Sequence, residues 1–168
     1  YFSKYSHLYS LNKSTYINLR WIAYIGQLIA VLSVQFLLNF KFNYFYCIII
    51  IFFGVLTNFY LQFKVKENQL NNLISTTFLS FDILLLSFLF FLTGGITNPF
   101  IFLIIVPAVF SSQHLSIRSS IILVSLIIII LAILTIYYID LPHPAELHFH
   151  VPNYYLFAIP VSITIGLL

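Results

Sequence analysis

The sequence predicts an all-α fold, a polytopic membrane bundle of about six transmembrane helices. Of the 168 residues, 61% are hydrophobic and only 7% are charged, whereas a soluble domain carries roughly 25% charged residues. Because too few polar side chains remain to cover a surface that faces water, the composition indicates an integral membrane protein. Uncharged stretches of membrane-spanning length, separated by short polar loops, indicate how often the chain crosses.

Charged residues mark the ends of the predicted helices. Arg20 and Lys41 bracket 20 uncharged residues, and Lys41 and Lys64 bracket the next 22. About 20 helical residues cross the roughly 30 Å of a bilayer's hydrocarbon core. The elements predicted in this way are a cytoplasmic N-terminal tail at 1–19 and spans at about 21–40, 42–63, 73–93, 99–113, 119–139 and 154–168.

The fourth span is short. The 13 residues FIFLIIVPAVFSS, at 100–112, cover only about 20 Å as a helix, so this segment is either a re-entrant loop or a tilted span in a thinned bilayer. Six spans with a cytoplasmic N-terminus leave Lys41 as the one basic residue outside, and a re-entrant segment would move Arg118 outside as well. The charge count favours six spans. The inside residues are then Lys4, Lys13, Arg20, Lys64, Lys66 and Arg118.

The two ends of the chain and its single cysteine lead to further expectations. The chain contains no methionine and stops within the apolar run VSITIGLL, so we expect a segment of a longer protein. Cys47 is the one cysteine, which excludes an internal disulfide framework and a multi-cysteine metal site; we expect it to be a small buried hydrophobe. The net charge of +3 indicates membrane topology and predicts no nucleic-acid partner.

The stretch LTGGITNPF, at 92–100, is the strongest break in the apolar sequence. Its glycines can take a positive φ and let another group approach the backbone. The asparagine offers a side-chain amide and is pushed to an extended conformation by the proline, which suits the first turn of span four. The stretch is therefore either a plain helix–helix turn or a notch for a lipid-soluble ligand with carbonyl acceptors. The candidate ligand-binding residues are Gly94, Gly95, Asn98, Pro99 and Phe100.

Asp82 is the only ionisable side chain well inside a predicted span, about 16 Å along the helix from the turn. A charge at that depth costs at least about 2.5 kcal/mol, so we expect the side chain to face the bundle. Two interpretations are open: a neutral carboxylic acid that bonds to Ser80, Ser87 or Gln35, and a proton relay.

Span one opens with LRWIAYIGQ, at 19–27. Arg20 and Trp21 are expected to anchor the helix at the membrane interface, with Arg20 on lipid phosphate. Gly26 would allow a neighbouring helix to approach closely, and the intramembrane Gln27 needs a partner inside the bundle.

Three histidines lie in the loop DLPHPAELHFHVPN, at 140–153. His148 and His150 alternate on one face of an extended segment, which a metal ion could use, but the three have no recognisable ligand spacing. We therefore predict a polar outer loop and no metal site. The residues considered as metal ligands are His143, His148 and His150, with Asp140 and Glu146.

GGITNPF fits the pattern G-G-x-x-N-P-F between the third and fourth spans. With LRWIAYIGQ at the start of span one and the polar turn QHLSIRSS, it makes residues 19–168 resemble the membrane sensor domain of the RegB/PrrB/ActS-type redox-responsive sensor histidine kinases. The resemblance implies a six-span domain that senses the quinone pool, with ubiquinone bound at Gly94, Gly95, Asn98, Pro99 and Phe100.

The resemblance also implies partners. The family's kinase region follows span six with a phospho-accepting histidine, an ATP-binding domain and a redox-active cysteine, so ATP would bind only outside this chain and no catalytic residue is assigned in it. We expect a homodimer in the bacterial cytoplasmic membrane that serves a response regulator. The alternative is a small transporter or scaffold with Asp82 as a proton or ion site; a transporter should show paired broken helices, and only one break is seen.

Overall fold

The computed structural model describes residues 10–37, 40–140 and 153–167, and they form a helical bundle. Within this part of the chain, four helices are long and apolar enough to cross a membrane, and the shorter apolar helices Ile101–His114 and Tyr155–Leu167 accompany them. The predicted all-α membrane fold is confirmed. The α-helices are α1 Lys13–Phe36, α2 Tyr44–Lys64, α3 Asn72–Leu92, α4 Val106–His114, α5 Ile117–Ile136 and α6 Asn153–Leu167.

Helix α1 begins at Lys13, inside the segment predicted to be the N-terminal tail. The Asn12 side chain caps it by accepting hydrogen bonds from the N–H groups of Ser14 (3.0 Å) and Thr15 (3.3 Å), which satisfies two of the donors that a helix start leaves free. Arg20 consequently lies about 10 Å inside the helix and not at its edge.

A short strand pair fixes the relative height of α1 and α3. The strand β1, Leu11–Asn12, pairs antiparallel with β2, Gln69–Leu70, and the Lys13 N–H donates to the Asn68 carbonyl at 3.1 Å. Because β1 leads directly into α1 and β2 into α3, the two helices start at the same level.

The contacts of α5 show that the fourth segment returns along the bundle. At the start of α5, the Ser116 N–H donates to the Asn72 side chain at the start of α3 (2.9 Å). Beyond the end of α5, the Ile139 carbonyl accepts from the Gly94 N–H beyond the end of α3 (3.1 Å). Since α3 and α5 run in the same direction, the connection between them must run back from one end to the other, as the six-span prediction requires.

The returning segment is a 3₁₀ helix, Ile101–Ile105, continued by α4. A 3₁₀ helix rises about 2.0 Å per residue, so residues 101–114 extend over about 24 Å, more than the length predicted for a purely α-helical span four. Pro99 was expected in the first turn of this span. It lies instead in a separate turn closed by the Ile101 N–H on the Asn98 carbonyl (3.0 Å).

The apolar core lies between α3 and α5, where Ile83, Leu123 and Ile127 are completely buried. Cys47 is buried and free, as expected. Large apolar side chains on α2, such as Phe52 and Phe53, are more than half exposed, which is the arrangement expected of a surface facing lipid. The histidine loop, with His143, His148, His150 and Glu146, lies outside the described residues.

Candidate functional site

A buried ion pair joins α1 to α3. Arg20 contacts Asp82 through Nη2 at 2.8 Å and through Nε at 3.1 Å, and their side chains are only 3% and 17% exposed. The expectation that Arg20 binds lipid phosphate is wrong, because α1 begins at Lys13 and carries this residue into the bundle. Asp82 likewise has a cationic partner instead of the Ser80, Ser87 or Gln35 expected from the sequence.

Two tyrosines complete the shell of the carboxylate. The hydroxyl of Tyr16 donates to Asp82 Oδ2 at 2.5 Å, and that of Tyr24 donates to Oδ1 at 3.0 Å. Tyr16, Arg20 and Tyr24 are spaced four residues apart and so share one face of α1. With two bonds from Arg20 and one from each tyrosine, Asp82 accepts four hydrogen bonds, about the capacity of a carboxylate.

The guanidinium also binds α2. Arg20 Nη2 donates to Thr57 Oγ1 at 2.6 Å and Nη1 to Asn58 Oδ1 at 3.4 Å, so one side chain links three helices. Gly54 makes room for this junction, since a Cβ on it would lie 2.5 Å from Cε1 of Tyr24. Close helix approach was expected at Gly26, which was wrong: a Cβ there would meet no atom of a neighbouring helix within 4 Å in the part of the chain that the structure describes.

The glycines of the turn have positive φ, 102° at Gly94 and 57° at Gly95, as expected. The group that approaches them belongs to the protein itself. The Gly94 N–H donates to the Ile139 carbonyl, and a Cβ on Gly95 would lie 2.6 Å from Cγ of Tyr138. The expectation of a ligand-accessible N–H is therefore wrong at Gly94, because this turn is packed against the end of α5.

Asn98 holds the same turn together. It is extended, with φ −65° and ψ 124°, as expected before Pro99. Its amide nitrogen donates to the carbonyl and the hydroxyl of Thr93 at 3.0 and 2.8 Å, and its oxygen accepts from the Phe100 N–H at 2.9 Å. The sequence predicted a free amide donor here, but both donors of Asn98 are used inside the turn.

A groove of about 940 Å³ runs between α1 on one side and α3 with the fourth segment on the other. The Arg20–Asp82 pair lies at one end of it, and Asn98, Pro99 and Phe100 line the other. Of the five candidate ligand-binding residues these three line the groove, whereas Gly94 and Gly95 lie buried behind it. The remaining walls are almost entirely apolar, and ligand pockets of this kind typically measure 300–1,000 Å³.

Gln27 also lines the groove, one turn beyond Tyr24 on the same face of α1. The sequence indicated that its amide needs a partner inside the bundle. Among the described residues no hydrogen bond to this half-buried amide is found. The groove itself was not predicted from the sequence, although one face of α1 carries regularly spaced polar residues that signal it: Tyr16, Arg20, Tyr24 and Gln27.

Comparison with known proteins identifies the family to which this chain is similar. The family of the PilS-like transmembrane domain (6TM_PilS) matches residues 19–163. The sensor histidine kinase RegB of Cereibacter sphaeroides is 33% identical over 155 residues, which are 92% of this chain and 34% of that protein. The chain thus spans about a third of the length of this relative. No solved structure matches. The resemblance drawn from the heptapeptide is confirmed, and quinone binding stays a prediction.

Proposed function

Because the chain belongs to the family of PilS-like transmembrane domains, we propose that it is the sensory input domain of a two-component sensor histidine kinase that responds to the quinone pool. The kinase region would continue beyond this chain, bind ATP there and pass phosphate to a response regulator. We place the domain in a bacterial cytoplasmic membrane, with a cytoplasmic N-terminus and as part of a homodimer. Its ligand would be a quinone such as ubiquinone.

The groove between α1 and α3 is the observation that supports this proposal most. Its volume of about 940 Å³ suits a substituted ring with the first part of an apolar tail. Phe100 lies at the end of the groove away from the Arg20–Asp82 pair. Its side chain is 45% exposed and presents an aromatic face on which a planar ring can stack. Apolar walls exclude water and leave few polar groups to select the head group, which is the pattern of small-molecule sites.

The five residues of the heptapeptide divide into two roles. Pro99 and Phe100 border the groove and would contact the ligand. Gly94 and Gly95 shape the turn and seat it against Tyr138, while Asn98 ties the turn to Thr93. Their contribution to binding would be indirect, since they fix the position of the aromatic wall.

Ligand binding becomes a signal only if the bundle has two packings with different affinities for the quinone. The groove separates α1 from α3, α5 packs on α3, and α6 packs on α5 and on the turn that follows α3. A quinone that favours one separation of α1 and α3 would shift the population of that packing. Span six, α6 in the structure, would carry the change to the kinase.

The alternative of a transporter with Asp82 as its ion site has less support. Asp82 is bound by Arg20, Tyr16 and Tyr24 with four hydrogen bonds, so its oxygens have little remaining capacity for a transported ion. A membrane scaffold would not need the groove.

Filling the groove tests the proposal. Gly26 lines it and has open space where its side chain would be, and Gly166 on α6 also has open space but does not line the groove. We expect Gly26→Phe to abolish photo-crosslinking of an azido-quinone to the purified domain in lipid nanodiscs, and Gly166→Phe to leave it at the wild-type level.

In the wild-type protein the crosslinks should map to peptides that contain residues 93–110. Competition with unlabelled decylubiquinone should remove them. Wild-type protein that captures no quinone above the level of empty nanodiscs, or Gly26→Phe protein that is folded and crosslinks normally, would contradict the proposal.

A further inference from the structure

We infer that the side-chain amide of Gln27 is the hydrogen-bond partner of the quinone head group. The inference rests on the proposed function and adds to it the polar contact that the heptapeptide does not supply. It places the ring inside the groove against α1, and not on the surface of the turn.

Among the described residues, the polar side chains that line the groove are hydrogen-bonded to other protein groups, with one exception. At its inner end Tyr16, Arg20, Tyr24 and Asp82 bind one another. At its outer end the side chains of Thr93, Thr97 and Asn98 bind within the turn and the end of α3. Gln27 is the one polar side chain of the lining for which the described part of the chain supplies no partner.

An unpartnered amide is costly at this position. Gln27 lies about 21 Å along α1 from Lys13, beyond the middle of the helix, and in hydrocarbon a polar group without a hydrogen-bond partner is unfavourable. A ligand carbonyl that accepts from the Gln27 amide removes this cost. The side chain therefore favours an apolar ligand that carries a hydrogen-bonding oxygen.

The surroundings of Gln27 restrict the shape of that ligand. Since α1 and α3 start at the same level, Gln27 lies at about the height of Leu86, and Leu89 and Phe90, which also line the groove, continue the wall of α3 toward the turn. Those side chains offer only apolar contact. Between the level of Leu86 and that of Thr93, seven residues further along, α3 rises about 10 Å, which leaves room for one ring below Phe100.

The open space at Gly26 offers the apolar tail of the ligand an exit from the groove. Gly26 is exposed, and no side chain of the described residues lies within 4 Å of the position that its Cβ would take. A prenyl chain attached to a ring held by Gln27 can leave the groove there and enter lipid.

A glutamine amide both donates and accepts hydrogen bonds. It can donate to a carbonyl of the oxidised quinone and accept from a hydroxyl of the reduced quinol. Loss of the amide should therefore weaken the binding of both redox forms. An aspartate or lysine at the same place would favour one form.

The test uses Gln27→Met, which keeps the length of the side chain and removes the amide. Leu28→Met, on the adjacent and more exposed face of α1, is the control for the effect of a new methionine. Binding of decylubiquinone to the domain in nanodiscs should be about three- to tenfold weaker in Gln27→Met, the loss expected for one neutral hydrogen bond, and unchanged in Leu28→Met.

Infrared difference spectra with carbonyl-¹³C-labelled quinone separate a lost hydrogen bond from altered packing. One carbonyl stretch of the bound quinone should lie at lower wavenumber in wild-type protein and return to the value of the free quinone in Gln27→Met. Equal affinity and equal spectra in wild type and Gln27→Met would overturn the inference while leaving the proposed function intact. Absence of binding to wild type would overturn both.

Discussion

Replacement of Asp82 by asparagine should destabilise the domain strongly. The change keeps the size of the side chain but leaves the guanidinium of Arg20, which is 3% exposed, without its counter-charge. Removing one partner of a buried ion pair costs about 3–5 kcal/mol, and insertion measurements give about 2.5–3.5 kcal/mol for an arginine at the centre of a membrane helix.

The two ranges overlap near 3 kcal/mol, which is the expected loss. Asparagine retains an acceptor for Arg20, and the hydroxyl of Tyr16 can accept from the new amide, so the lower end of the first range applies. A neutral carboxylic acid at Asp82, one of the two interpretations of the sequence, would have predicted that Asp82→Asn is tolerated, and the Arg20 contact reverses that expectation.

Unfolding of the purified domain in mixed dodecylmaltoside and dodecylsulfate micelles measures this loss. Trp21, the single tryptophan, packs edge-on against Phe59 with ring centroids 5.3 Å apart and reports the separation of α1 from α2. Asp140→Asn makes the same chemical change at an exposed residue and should alter the unfolding free energy by less than about 0.5 kcal/mol.

A double-mutant cycle distinguishes the ion pair from a general packing effect. Arg20→Gln should also destabilise, and the double variant Arg20→Gln/Asp82→Asn should lose clearly less than the sum of the two single losses, because neither charge is then left alone. An Asp82→Asn protein as stable as wild type, or strictly additive losses, would refute this account.

Three further outcomes are expected. Gly95→Ala should destabilise the domain by about 1–3 kcal/mol, since a non-glycine residue at φ 57° is strained and the new methyl group meets Tyr138; thermal unfolding that matches wild type would contradict this. Asn72→Ala should cost about 1–2 kcal/mol in the same micelle assay, because Ser116 loses the partner of its N–H, and a loss within error would contradict it. In a cysteine-free background, an impermeant maleimide added from outside should label a cysteine at position 146 and spare one at position 68; the reverse pattern would overturn the assigned orientation.

The helices could be predicted from the sequence because long uncharged runs have few other solutions in a bilayer. The ends of the helices could be predicted less well where the first turns of a helix consist of polar residues. Asn12 caps α1 well before the continuous apolar run, so α1 begins earlier than predicted and Arg20, which the sequence placed at the interface, lies in the bundle. In the predicted orientation the cytoplasmic basic residues would then number five instead of six. The ion pair was missed for the same reason.

The heptapeptide shows a second reason why part of the structure could not be predicted from the sequence. Its backbone conformation follows from local rules, since only glycine readily adopts the φ values found at Gly94 and Gly95. Which groups pack against it does not. Tyr138 and Ile139 are more than 40 residues away from Gly94 and Gly95 in the sequence, and no local pattern predicts that they pack against these glycines. The same applies to the groove, which arises from the relative placement of α1 and α3.

The strand pair β1–β2 has a mechanical consequence. It fastens the first residues of α1 to the chain that enters α3, and the Arg20–Asp82 pair adds a second fastening about 10 Å further along α1. Past these two points the groove separates the helices. A ligand inserted near Gln27 therefore acts as a wedge about 10 Å beyond the second fastening, and the two helices pivot about the fastened points. Spreading of the helices beyond the fastened points is then accompanied by a tilt of α1 at its N-terminal end.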